Sequence, residues 1–397
     1  MDEQITTLAS LTIDGKGSYG IGASAVPFSK DLYTYLRITD IKDDGTLNLQ
    51  DMKSVDDEKA SEYFLKPNDI VFARTGASTG RNYFYDGTDG EFVYAGFLIK
   101  FSIDEKKVNP KYIKYFCQSK QYKDWINSFN TGSTRGNINA QTLGKMPIPL
   151  IERKTQDALV CILSSIDEKI KKNNEINNNL EQQAQAYFDE LFVVNADPNW
   201  SECTLSDIGS VVAGGTPSKS KPEYYADQGI AWITPKDLSV NKSKFISHGE
   251  NDISELGFSK SSAAKMPAGT ILFSSRAPIG YIAIAQNEVT TNQGFKSVIP
   301  NENIGTAYLY FLLKNLLPTI EGMASGSTFK EISGSTMKSV PTVMPDADTI
   351  QLFSSFCEPV FKEQEILEAE NQRLSALRDS LLPKLMSGEL DVSDIDL

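Results

Sequence analysis

Between Gln156 and Leu191 the apolar side chains recur in steps of four and three: Leu159, Leu163, Ile166 and Ile170, then Leu180, Ala184, Tyr187 and Leu191. Moved along by 194 positions (159 to 353), the spacing falls on Phe353, Cys357, Val360, Gln364, Leu374, Arg378, Leu381 and Leu385. In that register Leu367 replaces Asn173 and Asn371 matches Asn177. Such spacing keeps one stripe on one helical face, so two helices are predicted, roughly 151–192 and 346–386, pairing along their length. About 36 residues rising about 1.5 Å each give rods of roughly 54 Å. Pro359 lies within the second stripe, so a kink or a helix start after it is expected. The run from Asn173 to Asn179 is a poor helix former. Asn177 and Asn371 either fix the register of the pairing or mark a frayed, solvated patch.

The segments outside these stripes repeat one another in order. Leu36-Arg37-Ile38-Thr39-Asp40-Ile41 reads as a short strand, answered by Trp232-Ile233-Thr234 with Asp237-Leu238. Leu65-Lys66-Pro67-Asn68-Asp69-Ile70-Val71-Phe72-Ala73-Arg74 is echoed by Met266 to Arg276, and Ala95-Gly96-Phe97 by Gln293-Gly294-Phe295. Gly132-Ser133-Thr134 then meets Gly326-Ser327-Thr328. An isoleucine (Ile138, Ile332) and a proline-bearing exit follow each, Met146-Pro147-Ile148-Pro149 and Val340-Pro341. A period near 195 residues is far longer than a solenoid repeat. The pattern predicts an α/β chain with a pseudo-twofold internal repeat: globular domains at 1–150 and 200–345, helical spacers at 151–199 and 346–397, and the two long helices paired as an antiparallel coiled coil.

A length of 397 residues suits two cores rather than one. Mean hydropathy of -0.29 describes a soluble protein. No apolar run reaches membrane-spanning length and no signal-peptide pattern opens the chain, so a cytoplasmic protein without membrane contact is expected. Cys117, Cys161, Cys203 and Cys357 stand far apart, fit a reducing compartment, and are read as core packing. The net charge of -13 would seem to exclude nucleic acid, whose phosphates need Lys and Arg. Its distribution changes that: residues 1–150 carry 18 basic and 19 acidic side chains and residues 200–345 carry 12 of each. The acidity is concentrated in the helical segments, leaving both globular segments free to present a basic face.

With these residues on the page, the chain resembles the specificity subunit of Type I restriction-modification enzymes over essentially its whole length. Carrying the resemblance are the two globular segments, each leading through a Gly-Ser-Thr loop and a proline-bearing exit into a long helix. Gly17-Ser18-Tyr19-Gly20-Ile21-Gly22, Gly214-Gly215-Thr216-Pro217 and the ending Leu381-Leu382-Pro383-Lys384-Leu385-Met386-Ser387-Gly388-Glu389-Leu390 add to it. The resemblance implies that each globular domain reads one half of a bipartite, asymmetric site on double-stranded DNA. It also implies that the helices space the halves and dock two methyltransferase subunits, with restriction subunits joining them. Half-sites on one face of B-DNA lie about 34–36 Å apart, within reach of such rods. S-adenosylmethionine is expected on the methyltransferase partners, and no cofactor or metal on this chain. An exchangeable specificity chain without a nuclease, or a helical scaffold with protein-binding ends, are the alternative readings.

The residues agree that chemistry lies elsewhere. An adenine methyltransferase would carry an Asp/Asn-Pro-Pro-aromatic loop. Asn109-Pro110-Lys111-Tyr112 and Asp197-Pro198-Asn199-Trp200 lack the second proline and read as a helix start and a linker turn. Asp14-Gly15-Lys16-Gly17-Ser18 has the wrong spacing for a phosphate-binding loop, and His248 is the only histidine. The chain is therefore expected not to be an enzyme. Candidates for DNA contact are Arg74, Thr75, Arg81, Ser133, Thr134, Arg135, Lys219, Arg276, Ser327, Thr328 and Lys330. Glycines let a backbone approach closely, hydroxyls can bind phosphate oxygens, and arginine forks suit phosphates or base edges. Ordinary turns and surface positions are the other reading of these loops. Tyr19, Tyr33 and Tyr35 are read as core. Helix pairing is assigned to Leu159, Leu163, Ile166, Ile170, Leu180, Tyr187, Leu191, Phe353, Val360, Leu367, Leu374 and Leu381.

Overall fold

A computed structural model describes residues 4–49, 51–129, 137–326 and 330–392. The chain forms two compact units, one of residues up to 169 with those from 374 onward, the other of residues 170–373. Each unit holds one globular segment and stretches of both long helices.

In the first unit one sheet runs Ser18–Tyr19, Leu98–Ser102, Asp69–Ala73, Asn82–Tyr85, all antiparallel. A second runs Ala25–Val26, Lys53–Val55, Tyr33–Leu36, Phe92–Tyr94, its last pair parallel. The strand Asp69–Ala73 is buried at every residue and divides two cores, as the alternation of a strand requires. Ile70 and Phe72 face Leu8, Phe101, Tyr112 and Tyr115, whereas Val71 and Ala73 face Leu36, Tyr94 and Leu98. Gln4–Thr7 pairs with Pro147–Leu150 in a separate two-stranded ribbon, where prolines omit no donor that an inner strand would need.

The second unit repeats this plan. Its sheets run Gly209–Ala213, Lys296–Pro300, Ile271–Ser275, Ile279–Ala285, Phe245–Ile246, and Tyr225–Ala226, Asn251–Ile253, Ile230–Ile233, Thr290–Thr291. The ribbon pairs Ser201–Thr204 with Pro341–Met344. Again the last pair of the smaller sheet is parallel. Short helices follow in matching order: Pro110–Phe116, Lys120–Asn127 and Ala140–Gly144 in the first unit, Thr306–Asn315, Leu317–Met323 and Gly334–Lys338 in the second. The strand Phe245–Ile246 has no counterpart among the described residues of the first unit.

Three expectations are corrected. The strand predicted at Leu36–Ile41 ends at Leu36, because the Asp40 carboxylate accepts from the Arg37 backbone N–H (2.7 Å) and guanidinium and folds the chain into a turn. Phe97 and Phe295, matched by sequence, end oppositely: Phe97 is exposed and Phe295 buried. Strand pairing sets Ala73 against Leu98 but Ser274 against Phe295, so Leu98 fills the place that Phe295 takes in the second unit. Cys161 is exposed, not core.

The long helices span Arg153–Asp189, followed by wider turns at Glu190–Val194, and Ala347–Met386. In the first unit Leu159 and Leu163 share a core with Leu382 and Leu385, and Asp167 meets Arg378 at 3.2 Å. In the second, Asn173 meets Asn371 at 2.9 Å, and Tyr187 lies 6.0 Å from Phe353. Numbers rise along one helix as they fall along the other, so the helices are antiparallel in each unit. Of the assigned pairing residues, Leu159, Leu163, Ile166, Phe353 and Leu367 are buried; Ile170, Leu180, Tyr187, Leu191, Val360, Leu374 and Leu381 are half-buried.

The asparagine-rich run is helical throughout, held by side-chain pairing in place of intrinsic propensity. Asn173 is fully buried, and its Nδ2 donates to Glu370 Oε2 (2.8 Å) and Asn371 Oδ1. Asn371 donates in turn to Asn174 Oδ1 (2.8 Å), while Asn177 offers its backbone carbonyl to Gln364. The polar link across the seam is thus Asn173 with Asn371, one turn from the expected Asn177. Nor does Pro359 start or stop the second helix, which runs through it. Both Pro359 and Ser355, whose carbonyl loses its donor, are exposed, so water can take the place of the missing N–H. Pro359→Ala should restore that bond and raise stability by about 1–3 kcal/mol. Urea denaturation checks this; an unchanged or lowered midpoint would sink it.

Candidate nucleic-acid interface

The buried strand Asp69–Ala73 delivers Arg74 to the rim of the first unit's sheet. There the Arg74 backbone N–H donates to Phe97 O (3.0 Å), and its carbonyl accepts from Ile138 N–H (2.9 Å). Thr75 bridges to Asn137, so the chain returning from the Gly-Ser-Thr segment is stitched to Arg74 and Thr75. The guanidinium lies over the Tyr19 ring, 5.1 Å from its centroid. Tyr19 is itself held, since its hydroxyl accepts from Ala140 N–H (3.1 Å) at the start of a short helix. The Arg74 Nε is buried and meets no acceptor.

Arg81 is committed to the fold. Its guanidinium forks onto Asp43 (2.7 and 3.2 Å) and donates to the Ile41 carbonyl. The structure therefore places Arg74 and Thr75 together at the rim and ties Arg81 to a neighbouring loop. Ser133, Thr134, Arg135, Ser327 and Thr328 lie outside the described residues.

In the second unit Ile271–Ser275 delivers Arg276 to the matching rim. Ile332 N–H donates to Ser275 O (3.1 Å), and Arg276 bridges to Glu331, as Thr75 does to Asn137. The difference is chemical: Glu331 brings a carboxylate that pairs with Arg276 at 3.4 Å. Lys296 stands nearby; burial pushes its ammonium down, the Glu331 carboxylate pulls it partly back, and Arg276 lowers it further. Lys219 and Lys330 are both exposed.

Sequence reasoning missed Tyr19, Lys296 and Glu331. Glu331 could have been found, because it precedes the isoleucine that the repeat aligns. Tyr19 and Tyr33, expected in the core, are 42% and 44% exposed; of the three tyrosines only Tyr35 is buried, donating its hydroxyl to two carbonyls. A strand that ends at a sheet rim leaves its last side chain outside, and hydrophobicity alone does not mark that end.

The glycine openings serve packing. A Cβ on Gly20 would sit 2.3 Å from the carbonyl oxygens of Tyr94 and Ala95, and one on Gly214 would sit 2.0 Å from Asn292 O. This close approach explains why each opening recurs together with its Gly-Phe partner segment. Asn109 caps a helix, its side chain accepting from Lys111 N–H, and Asp197 accepts from Asn199 N–H in a turn. Among the described residues no group of His, Cys, Asp and Glu is arranged to hold a metal, and no helix is long and apolar enough to cross a membrane.

A sequence model of the Type I restriction modification DNA specificity domain matches residues 29–182 and again 198–376. The chain is similar to the Type I restriction enzyme MjaIX specificity subunit of Methanocaldococcus jannaschii, 40% identical over 46% of this chain and 44% of the relative. That match thus spans less than half the relative's length. The chain is also similar to the HindI specificity subunit of Haemophilus influenzae, 23% identical over 82% of this chain and 87% of that one. In fold it resembles the crystal structure of the Type I restriction-modification S subunit from M. genitalium. There the TM-score is 0.57 and identity 20%, covering 97% of this chain and 96% of the other.

Proposed function

The chain belongs to the Type I restriction modification DNA specificity family, and on that premise we propose that it is the subunit that reads the DNA target of a Type I restriction-modification complex. Each globular segment reads one half of a bipartite site on double-stranded DNA. The observation that carries this reading is the repeated rim: two sheets of matching topology, each ending a buried strand in an arginine fastened to the loop before a short helix. Neutral globular segments permit approach to phosphate, and the rim arginines supply forks for base edges or phosphates. Because the rims differ, Thr75 with Asn137 against Arg276 with Glu331, the half-sites differ and the target is asymmetric.

The chain itself carries no catalysis and no cofactor. Two methyltransferase subunits, bearing S-adenosylmethionine, dock on the long helices and flip out an adenine for methylation. Restriction subunits complete a cytoplasmic nuclease. The test is co-expression with the methyltransferase encoded beside this gene in a methylation-free host, followed by genome-wide mapping of N6-methyladenine. One asymmetric bipartite motif, present only with this chain, is expected. A stable complex that methylates no motif would sink the reading in favour of a scaffold.

A further inference from the structure

In the second unit Ser275 takes the place of Arg74 in the ladder, and Arg276 takes that of Thr75. Arg276 pairs with Glu331 at 3.4 Å, whereas Thr75 bridges to the neutral Asn137. Arg74 has no carboxylate partner among the described residues, and its Nε is buried without an acceptor. A buried N–H of a charged group left without a partner is costly and rare in native structures, and the Arg74 side chain as a whole is only half-buried. The side chain is also held still. Its guanidinium rests on Tyr19, whose hydroxyl is fastened to Ala140 N–H. A fork fixed in one plane loses little freedom on binding a planar, two-acceptor ligand.

The surroundings choose among such ligands. Tyr19, beneath the guanidinium, is 42% exposed, and Phe97, whose carbonyl accepts from the Arg74 N–H, is 59% exposed. A hydrated phosphate gains nothing from two apolar faces, whereas a base edge in the major groove brings its own ring and methyl surfaces. Guanine offers O6 and N7 side by side, the geometry an arginine fork fits.

On the reading that the chain binds duplex DNA, we propose that Arg74 is the guanine-reading residue of the first globular segment, held for that task by Tyr19. Glu331 gives the second unit a different donor and acceptor set, which Arg276 does not offer alone.

The test maps methylation in the co-expressed complex carrying the parent chain, Arg74→Lys or Arg74→Gln. The parent motif is expected to specify a guanine in one half-site. Both variants should lose selectivity at that base alone, and methylation at parent sites should fall by on the order of tenfold to a hundredfold, with the other half-site unchanged. Arg74→Lys keeps the charge without the fork, so it carries the test should Arg74→Gln fail to fold. A parent motif with no guanine in either half overturns the proposal. So does a uniform loss with every motif position kept and the salt slope of binding reduced by about one, the signature of a phosphate contact. If the parent chain directs no bipartite motif at all, the DNA-reading function fails first, a result separable from these.

Discussion

Phe353→Ala is expected to destabilise the second unit by about 3–5 kcal/mol, because it empties the centre of an aromatic core. Phe353 is fully buried on the second long helix. Its ring lies 5.7 Å from Phe188, 5.5 Å from Phe192 and 5.7 Å from Phe311, uniting both long helices with the helix Thr306–Asn315. Rigid rings on three elements cannot collapse into the space, so most of the cavity term persists. Phe356, one turn along and 37% exposed, touches chiefly Tyr187 (4.8 Å), and Phe356→Ala should cost only about 1 kcal/mol. Urea denaturation followed by Trp200 and Trp232 in a Trp125→Phe background reads this unit alone. Equal losses for the two variants would refute the assignment of the core.

Glu181→Gln should cost nearly as much, about 3 kcal/mol, and should also change the pH dependence. Glu181, on the first long helix, pairs with Lys244 (2.5 Å) and Lys314 (2.6 Å) and accepts from the Tyr310 hydroxyl (3.2 Å). Lys244 is buried, donates to Gln364 Oε1 (2.7 Å), and lies over the rings of Phe361 (3.9 Å) and Tyr310 (4.6 Å). Removing the carboxylate's charge strands that ammonium, although Glu368 remains close by. Burial alone would raise the Glu181 carboxyl, but the two ammonium groups outweigh it and hold it below its ordinary value of 4.5. A depressed carboxyl stabilises the fold fully above its unfolded value and loses that contribution as pH falls through the folded value. The parent should therefore lose stability steeply in acid below about pH 4.5, and the variant should show a shallower slope. Denaturation at pH 7, 5 and 3.5, read by the same tryptophans, decides it; parallel slopes would refute the network. Asp167, similarly held down against burial by Lys114 and Arg378, supplies the remaining acid sensitivity through the first unit.

Several of these features were visible in the chain before any fold was known. The four-three spacing located both long helices, because a helix that buries one face must repeat its apolar residues at the helical period. The internal repeat matched the stretches that hold Asp69–Ala73 and Ile271–Ser275, without reading them as strands. It also brought out Arg74 and Arg276, which directly follow those runs. What the spacing could not report is which side chains are paired. Arg74 and Arg81 look alike in sequence, yet Asp43 takes one, and among the described residues no carboxylate takes the other.

The sequence alone determined the period, the two long helices and the doubling of the plan, since each follows from local patterns of apolar residues along the chain. Only the tertiary structure decided that Pro359 sits on an exposed helical face, that Asn173 meets Asn371, that Tyr19 lies outside, and that Glu331 pairs with Arg276. Those outcomes depend on contacts between residues far apart in the chain. Hydrogen bonding and charge pairing act at a few ångströms in space, and a period along the sequence carries no record of them.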